Sequence, residues 1–175
     1  MNSRGVTFVE VLVVVSIIAI LAVALGFTYQ GWMGRYKVER QTRDIYTDLV
    51  DARGRAQTRG TAQFFDVNTP APPAGQGRYR VIEDTNGNLA SEPGAGDTVL
   101  ATFPKTVEYV ITMNNGTFSF DRRGIASGGR TICVTTTTDP DYDCISVSET
   151  RINMGRLTTQ ISAGGACDTA NCVAR

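Results

Sequence analysis

The sequence contains no histidine, no Cys-x2-Cys pair, no proline before Pro70 and no net charge, seventeen basic residues cancelling seventeen acidic ones. The missing histidine removes the commonest general base, and the serines are scattered without a nucleophile-elbow motif. Gly54, Gly60, Gly124, Gly128 and Gly129 form no phosphate-binding loop. No catalytic residue and no cofactor is expected. With neither histidine nor paired cysteines at ligand spacing, the usual zinc sites are excluded, and no metal is expected. The balanced charge provides no overall field to steer the chain toward nucleic acid.

What is present is unevenly spread. From Val11 to Phe27 there is no charge, and only Ser16 and Gly26 interrupt an aliphatic run, whereas the flanks are polar. Two regions with different solvents are implied. A length of 175 residues with 42% hydrophobic residues also leaves room for one domain with its own core. Cys133, Cys144, Cys167 and Cys172 all fall in the last quarter, an even number that fits disulfides formed in an oxidising compartment. Of the three pairings, Cys133–Cys144 with Cys167–Cys172 is preferred, since each closes a short loop rich in turn residues.

The first residues differ from a secretory signal peptide, in which the small-residue cleavage site follows the apolar stretch. Here Gly5 precedes it, and Glu10 stands near its edge. A carboxylate near hydrocarbon costs on the order of 2–3 kcal/mol unless paired, so Glu10 calls for a function. Arg4 and Gly5-Val6-Thr7-Phe8-Val9-Glu10, followed by the unbroken run, resemble the class III leader of type IV prepilins and pseudopilins. The resemblance implies that a prepilin peptidase cuts after Gly5 and methylates the new amine of Val6, where the family usually has phenylalanine. It also implies that Glu10 neutralises the Val6 amine of a neighbouring subunit inside a filament, which sets register as well as affinity. Arg35, Lys37, Arg40 and Arg43 follow the span while only Arg4 precedes it, which the positive-inside rule reads as N-terminus outside. The cysteines and the leader point the other way, placing residues 28–175 outside the cytoplasm.

Beyond Phe27 the helix is expected to continue to about Arg59. Val38, Ile45, Leu49, Ala52 and Ala56 form an apolar stripe at helical period, opposite Arg40, Arg43, Asp44, Asp48, Asp51 and Arg55. Gly60 is a stop signal. Gly26, Gly31 and Gly34 near the join read equally as a weak hinge or as sites of close packing. Short strands follow: Phe64–Val67, Tyr79–Ile82, Arg130–Val134, Cys144–Val147 and Ile152–Leu157. Asn86-Gly87 and Asn115-Gly116 are hairpin signals, the second of which would pair Met113 with Phe118 and Ile111 with Phe120. The fold class is α+β: a long N-terminal helix packed on an antiparallel head, the pilin architecture.

Two head segments narrow the resemblance. Leu49-Val50-Asp51-Ala52-Arg53-Gly54-Arg55-Ala56 is similar to the "L-x-x-A-R-x-x-A" of the GspH/FimT branch of minor pseudopilins, and Phe118–Gly124 is similar to its "F-x-x-x-G" turn. The expected organisation is a leader over 1–5, a hydrophobic transmembrane or filament-core helix over 6–34, and an extracytoplasmic head over 35–175. The resemblance implies a single-pass bacterial inner-membrane protein with a periplasmic head, which helps prime or cap a type II secretion pseudopilus or a type IV pilus. Its partners would be other pilins, the prepilin peptidase and an inner-membrane assembly platform. Two alternatives stand beside it. A DNA-binding minor pilin would use Arg122, Arg123, Arg130, Arg151 and Arg156 as a patch, although Gly155-Arg156-Leu157-Thr158 lacks the second arginine of the Gly-Arg-x-Arg motif seen in some relatives. A plain single-span protein with a β-rich head is the other. Asp139, Asp141 and Asp143 alternate like the start of a calcium loop, but Cys144 and Thr150 occupy the sixth and twelfth positions, so a polar turn is expected there.

Overall fold

The computed structural model describes residues 7–114 and 116–175, apart from the side chains of 24–30. One helix, α1 (Phe8–Arg59), dominates the chain. It begins where Thr7 Oγ1 accepts the Glu10 amide N–H while the Glu10 carboxylate accepts the Thr7 N–H, a reciprocal capping box. It ends at Gly60 in the left-handed region, φ 67°, with the Gly60 N–H returned to the Ala56 carbonyl.

Ten strands follow among the described residues: β1 (Gln63–Val67), β2 (Gly77–Glu83), β3 (Thr98–Val99), β4 (Lys105–Val107), β5 (Ile111–Met113), β6 (Thr117–Phe120), β7 (Arg130–Val134), β8 (Cys144–Val147), β9 (Ile152–Leu157) and β10 (Cys172–Ala174). They form two antiparallel sheets. The first runs β3-β2-β1-β6 with β4 also paired to β2, and the second runs β10-β9-β8-β7-β5. Both sheets press on one side of the C-terminal half of α1. The predicted stripe is the side they cover: Val38, Ile45, Leu49, Ala52 and Ala56 join Phe65, Tyr79, Val81, Ile111, Phe118, Phe120, Ile132 and Ile145 in one core. Ala52 and Ala56 let the strands come close, and each fully buried Ile or Leu contributes about 1.5–3 kcal/mol.

The expected hairpin at Asn115-Gly116 does not form. Ile111 pairs with Val134 and Met113 with Ile132, whereas Phe118 pairs with Phe65 and Gln63 with Phe120. The chain crosses from one sheet to the other here, as strands do at the corners of packed sheets; Asn115 itself lies outside the described residues. Asn114 fixes the exit by exchanging bonds with Thr131, whose N–H it accepts at 2.6 Å. On the far side, Phe118 gains the Phe65 ring at 5.6 Å and the Phe120 ring at 5.3 Å. Asn86-Gly87 likewise makes no two-residue turn, because it belongs to the longer 84–97 connection between β2 and β3. β10 was not expected at all. The helix runs unbroken through Gly31 and Gly34, and a Cβ at Gly34 would stand 3.0 Å from Thr138 Cγ2, so the head approaches α1 closely at that point.

Candidate assembly surface

Among the described residues, the N-terminal half of α1 has no partner in the head. Its apolar side chains stand in the open all round the helix, Phe8 at 81% and Ile20 at 70% exposure. An all-round apolar helix needs an apolar environment on every side. Among the described residues no helix is long and apolar enough to cross a membrane. Thr7 to Val23 covers only about 25 Å at the helical rise, against about 30 Å of hydrocarbon, and the predicted span continues into residues whose side chains are not described. Glu10 opens this surface and is exposed. Gly5 and Val6, the expected processing site, lie outside the described residues. The T-x-x-E capping signal was readable in the sequence but was overlooked there; it means Glu10 shapes the helix start as well as carrying a charge.

Past the apolar half, polar side chains clamp the helix to the head. Gln41 trades two bonds with the Tyr109 backbone, at 3.0 and 2.9 Å, and the Thr42 hydroxyl reaches the Tyr142 carbonyl. Lys37 meets Glu108 at 2.9 Å, and this bond raises the lysine pKa above its usual value. Asp48, placed on the solvent face by the sequence pattern, instead receives the Tyr79 hydroxyl at 2.7 Å and the Lys105 ammonium at 2.6 Å. Burial first, then Asp48, pushes the Tyr79 phenol far up, so it stays a neutral donor. No sequence signal distinguishes Asp48 from its exposed neighbours, since its partners lie 31 and 57 residues away.

The two head motifs meet at the C-terminal end of α1. Leu49, Ala52 and Ala56 enter the core, while the Arg53 guanidinium donates to the Thr150 carbonyl at 2.8 Å and Gln57 Nε2 to the Arg123 carbonyl at 2.9 Å. Of the expected basic patch, Arg156 alone is set apart. Arg122 and Arg123 on the β6–β7 turn and Arg151 on the β8–β9 turn gather at this end, held together by the Ala126 N–H on the Glu149 carbonyl. Arg130 begins β7 and donates to the Gly129 carbonyl. Arg156 lies about 13 Å along β9 from Ile152 and is ion-paired with Asp139.

Asp139, Asp141 and Asp143 diverge. Asp139 takes Arg156, Asp141 faces Arg175 at 3.6 Å, and Asp143 turns inward to accept the Leu157 N–H at 2.7 Å and Gln160 Nε2 at 2.6 Å. Burial raises the Asp143 pKa, against the pull of Gln160, Leu157 and Arg156.

The local cysteine pairing is overturned: the disulfides are Cys133–Cys167 and Cys144–Cys172. Cys133 and Cys144 are directly opposed on β7 and β8, where the ladder already holds them. Each sulfur instead reaches a cysteine of the C-terminal segment, which has little core of its own beyond Leu157 and the cysteines. The Cys144–Cys172 bridge passes over Gly155, which pairs with Cys144; a Cβ there would stand 3.0 Å from Cys172 Sγ and 2.5 Å from the Val173 carbonyl oxygen. Glycine is required by that close approach.

A long helix with a bare apolar half, capped by an acid and packed at its other half on an antiparallel head, defines the pilin class. Residues 1–26 match the prokaryotic N-terminal methylation motif. Residues 41–150, well over half the chain, match type II transport protein GspH, and the chain belongs to that family. It is therefore a pseudopilin or minor pilin, of a family of structural subunits rather than enzymes, and membership implies contact with other pseudopilins. No curated protein and no solved structure matches the chain. The match ends at Thr150, so β9, β10 and the disulfide-tied segment lie beyond it.

Proposed function

We propose that the chain is a minor pseudopilin that primes or caps a type II secretion pseudopilus. A prepilin peptidase cuts after Gly5 and methylates Val6; residues 6–34 anchor the subunit in the inner membrane, and residues 35–175 form the periplasmic head. The subunit then leaves the bilayer for the filament, where its apolar half packs against neighbouring helices and Glu10 neutralises a neighbour's Val6 amine. The observation that carries this reading is the bare helix half: side chains such as Phe8 and Ile20 have nothing in the head to cover them. The GspH family description favours secretion over a pilus.

Glu10 has two separable roles, cap and charge. Glutamine at this position keeps the capping box and deletes the charge. Glu10→Gln is expected to be processed normally at Gly5 yet to fail in filament assembly and secretion, with the head's melting unchanged. Wild-type assembly by Glu10→Gln would remove the charge-pairing role, and native protein carrying Met1 in cells with active peptidase would remove the processing step.

A further inference from the structure

The connection between β2 and β3, residues 84–97, holds three carboxylates and two asparagines and has no lysine or arginine. Asp84 is buried at its entrance, one oxygen accepting the Gly87 N–H at 2.7 Å and the other the Leu89 N–H at 3.2 Å. Asn86 Oδ1 accepts the Asn88 N–H at 3.0 Å, and Asn88 Oδ1 accepts the Ala90 N–H at 2.8 Å. Side-chain oxygens of alternate residues thus each accept a backbone N–H within one tight loop. Leu89 stands in the left-handed region, φ 61°, while its side chain is exposed and gains little from packing. Glu92 is drawn to the same loop by Asn88 Nδ2 at 2.9 Å.

Asp97 is the separate observation that points to a ligand. It is 5% exposed, and its Oδ2 accepts the Glu92 N–H at 2.8 Å, which ties the carboxylate to the same loop. Its Oδ1 is buried with no hydrogen-bond partner. A buried carboxylate oxygen left without a donor carries its full desolvation penalty, and native folds keep few of them. A cation would satisfy it.

We propose that residues 84–97 bind a calcium ion, with Asp84, Asn86, Asn88, Glu92 and Asp97 supplying oxygen ligands. Calcium takes six to eight oxygens from carboxylates, amides and carbonyls at spacings of two along such a loop. Asp84, Asn86 and Asn88 hold the first, third and fifth places, Leu89 adopts at the sixth the conformation usually given to glycine, and Ala90 presents its carbonyl at the seventh. Ala95 occupies the twelfth place, where a glutamate is usual, and Asp97 takes over that role two residues on. No three acidic or cysteine side chains among the described residues already close on one point, so cation binding has to bring Asp84, Glu92 and Asp97 together. Magnesium, which demands a near-ideal octahedron and keeps its waters, fits this set less well. The sequence alone leads to the opposite expectation of no metal, and the calcium-like run at Asp139–Asp143 is a separate segment.

The test is calorimetric titration of the full chain in detergent with calcium chloride, together with thermal melting in calcium and in chelator. Saturable binding and a higher melting temperature in calcium are expected, with magnesium weaker. Glu92→Gln alters an exposed side chain, so the fold is kept; both it and Asp97→Asn are expected to weaken binding about tenfold or more. Asp139→Asn is expected to bind as wild type. Absence of saturable binding and of any melting shift at millimolar calcium overturns the proposal. So does undiminished binding by Glu92→Gln and Asp97→Asn, or loss of binding in Asp139→Asn alone.

Discussion

The two halves of α1 show how differently apolar residues are used along one continuous helix. From Phe8 to Val23 nearly every residue is aliphatic and all are exposed; in the second half only every third or fourth is aliphatic, and Ile45 and Leu49 are at 0% exposure. A periodic stripe asks for one covering surface, and the two sheets provide it. An uninterrupted run asks for covering on every side, which a single head cannot give. The densest hydrophobic sequence in the protein is therefore built for surroundings outside the chain, and the sparser one for the core.

The comparison can be broken directly. Leu49→Ala is expected to lower head stability by about 2–5 kcal/mol in denaturant unfolding, through lost burial and the cavity left behind. Ile18→Ala is expected to leave it within about 0.5 kcal/mol. Equal losses in the two would mean that the first half packs on the head after all.

The disulfides sharpen the boundary on the head side. Replacing Cys144 and Cys172 together by serine is expected to cost about 2–4 kcal/mol, since their bridge restrains an unfolded loop of 28 residues. Peptide mapping without reduction should recover Cys133–Cys167 and Cys144–Cys172; recovery of the local pairs would refute the tying of the C-terminal segment to β7 and β8.

The smallest effect concerns Asp143. Burial places its folded pKa above the ordinary value of 3.8. Between the two values the folded chain holds a proton that the unfolded chain has released, so the stability contributed by Asp143 grows as pH falls through that window. On acidification the wild type should lose less melting temperature than Asp143→Asn. Parallel curves would show that the burial has no such consequence.

Much of this was readable beforehand. The buried stripe, the Gly60 stop and five strands were legible because each is announced by hydrophobic period or a stop residue within a few positions. The leader was legible because Gly5 and Glu10 make little sense in a plain anchor. Asp48 was misplaced on the solvent face because helical period says which side a residue lies on, but not that a tyrosine and a lysine from other elements will reach over to meet it. The Asn115-Gly116 signal misled because a local turn preference yields to the vacant edge of β1 and the aromatic contacts it offers.

By itself, then, the order of residues determined one long capped helix, an apolar half unsuited to water and a β-rich remainder, since backbone preference and hydrophobic period act over a few residues. Which strands became neighbours, which sulfurs met and which carboxylate was left buried without a donor were decided only by closing the two sheets over α1. Those outcomes depend on competition between partners tens of residues apart, where each gain must exceed the entropy of closing the loop between them.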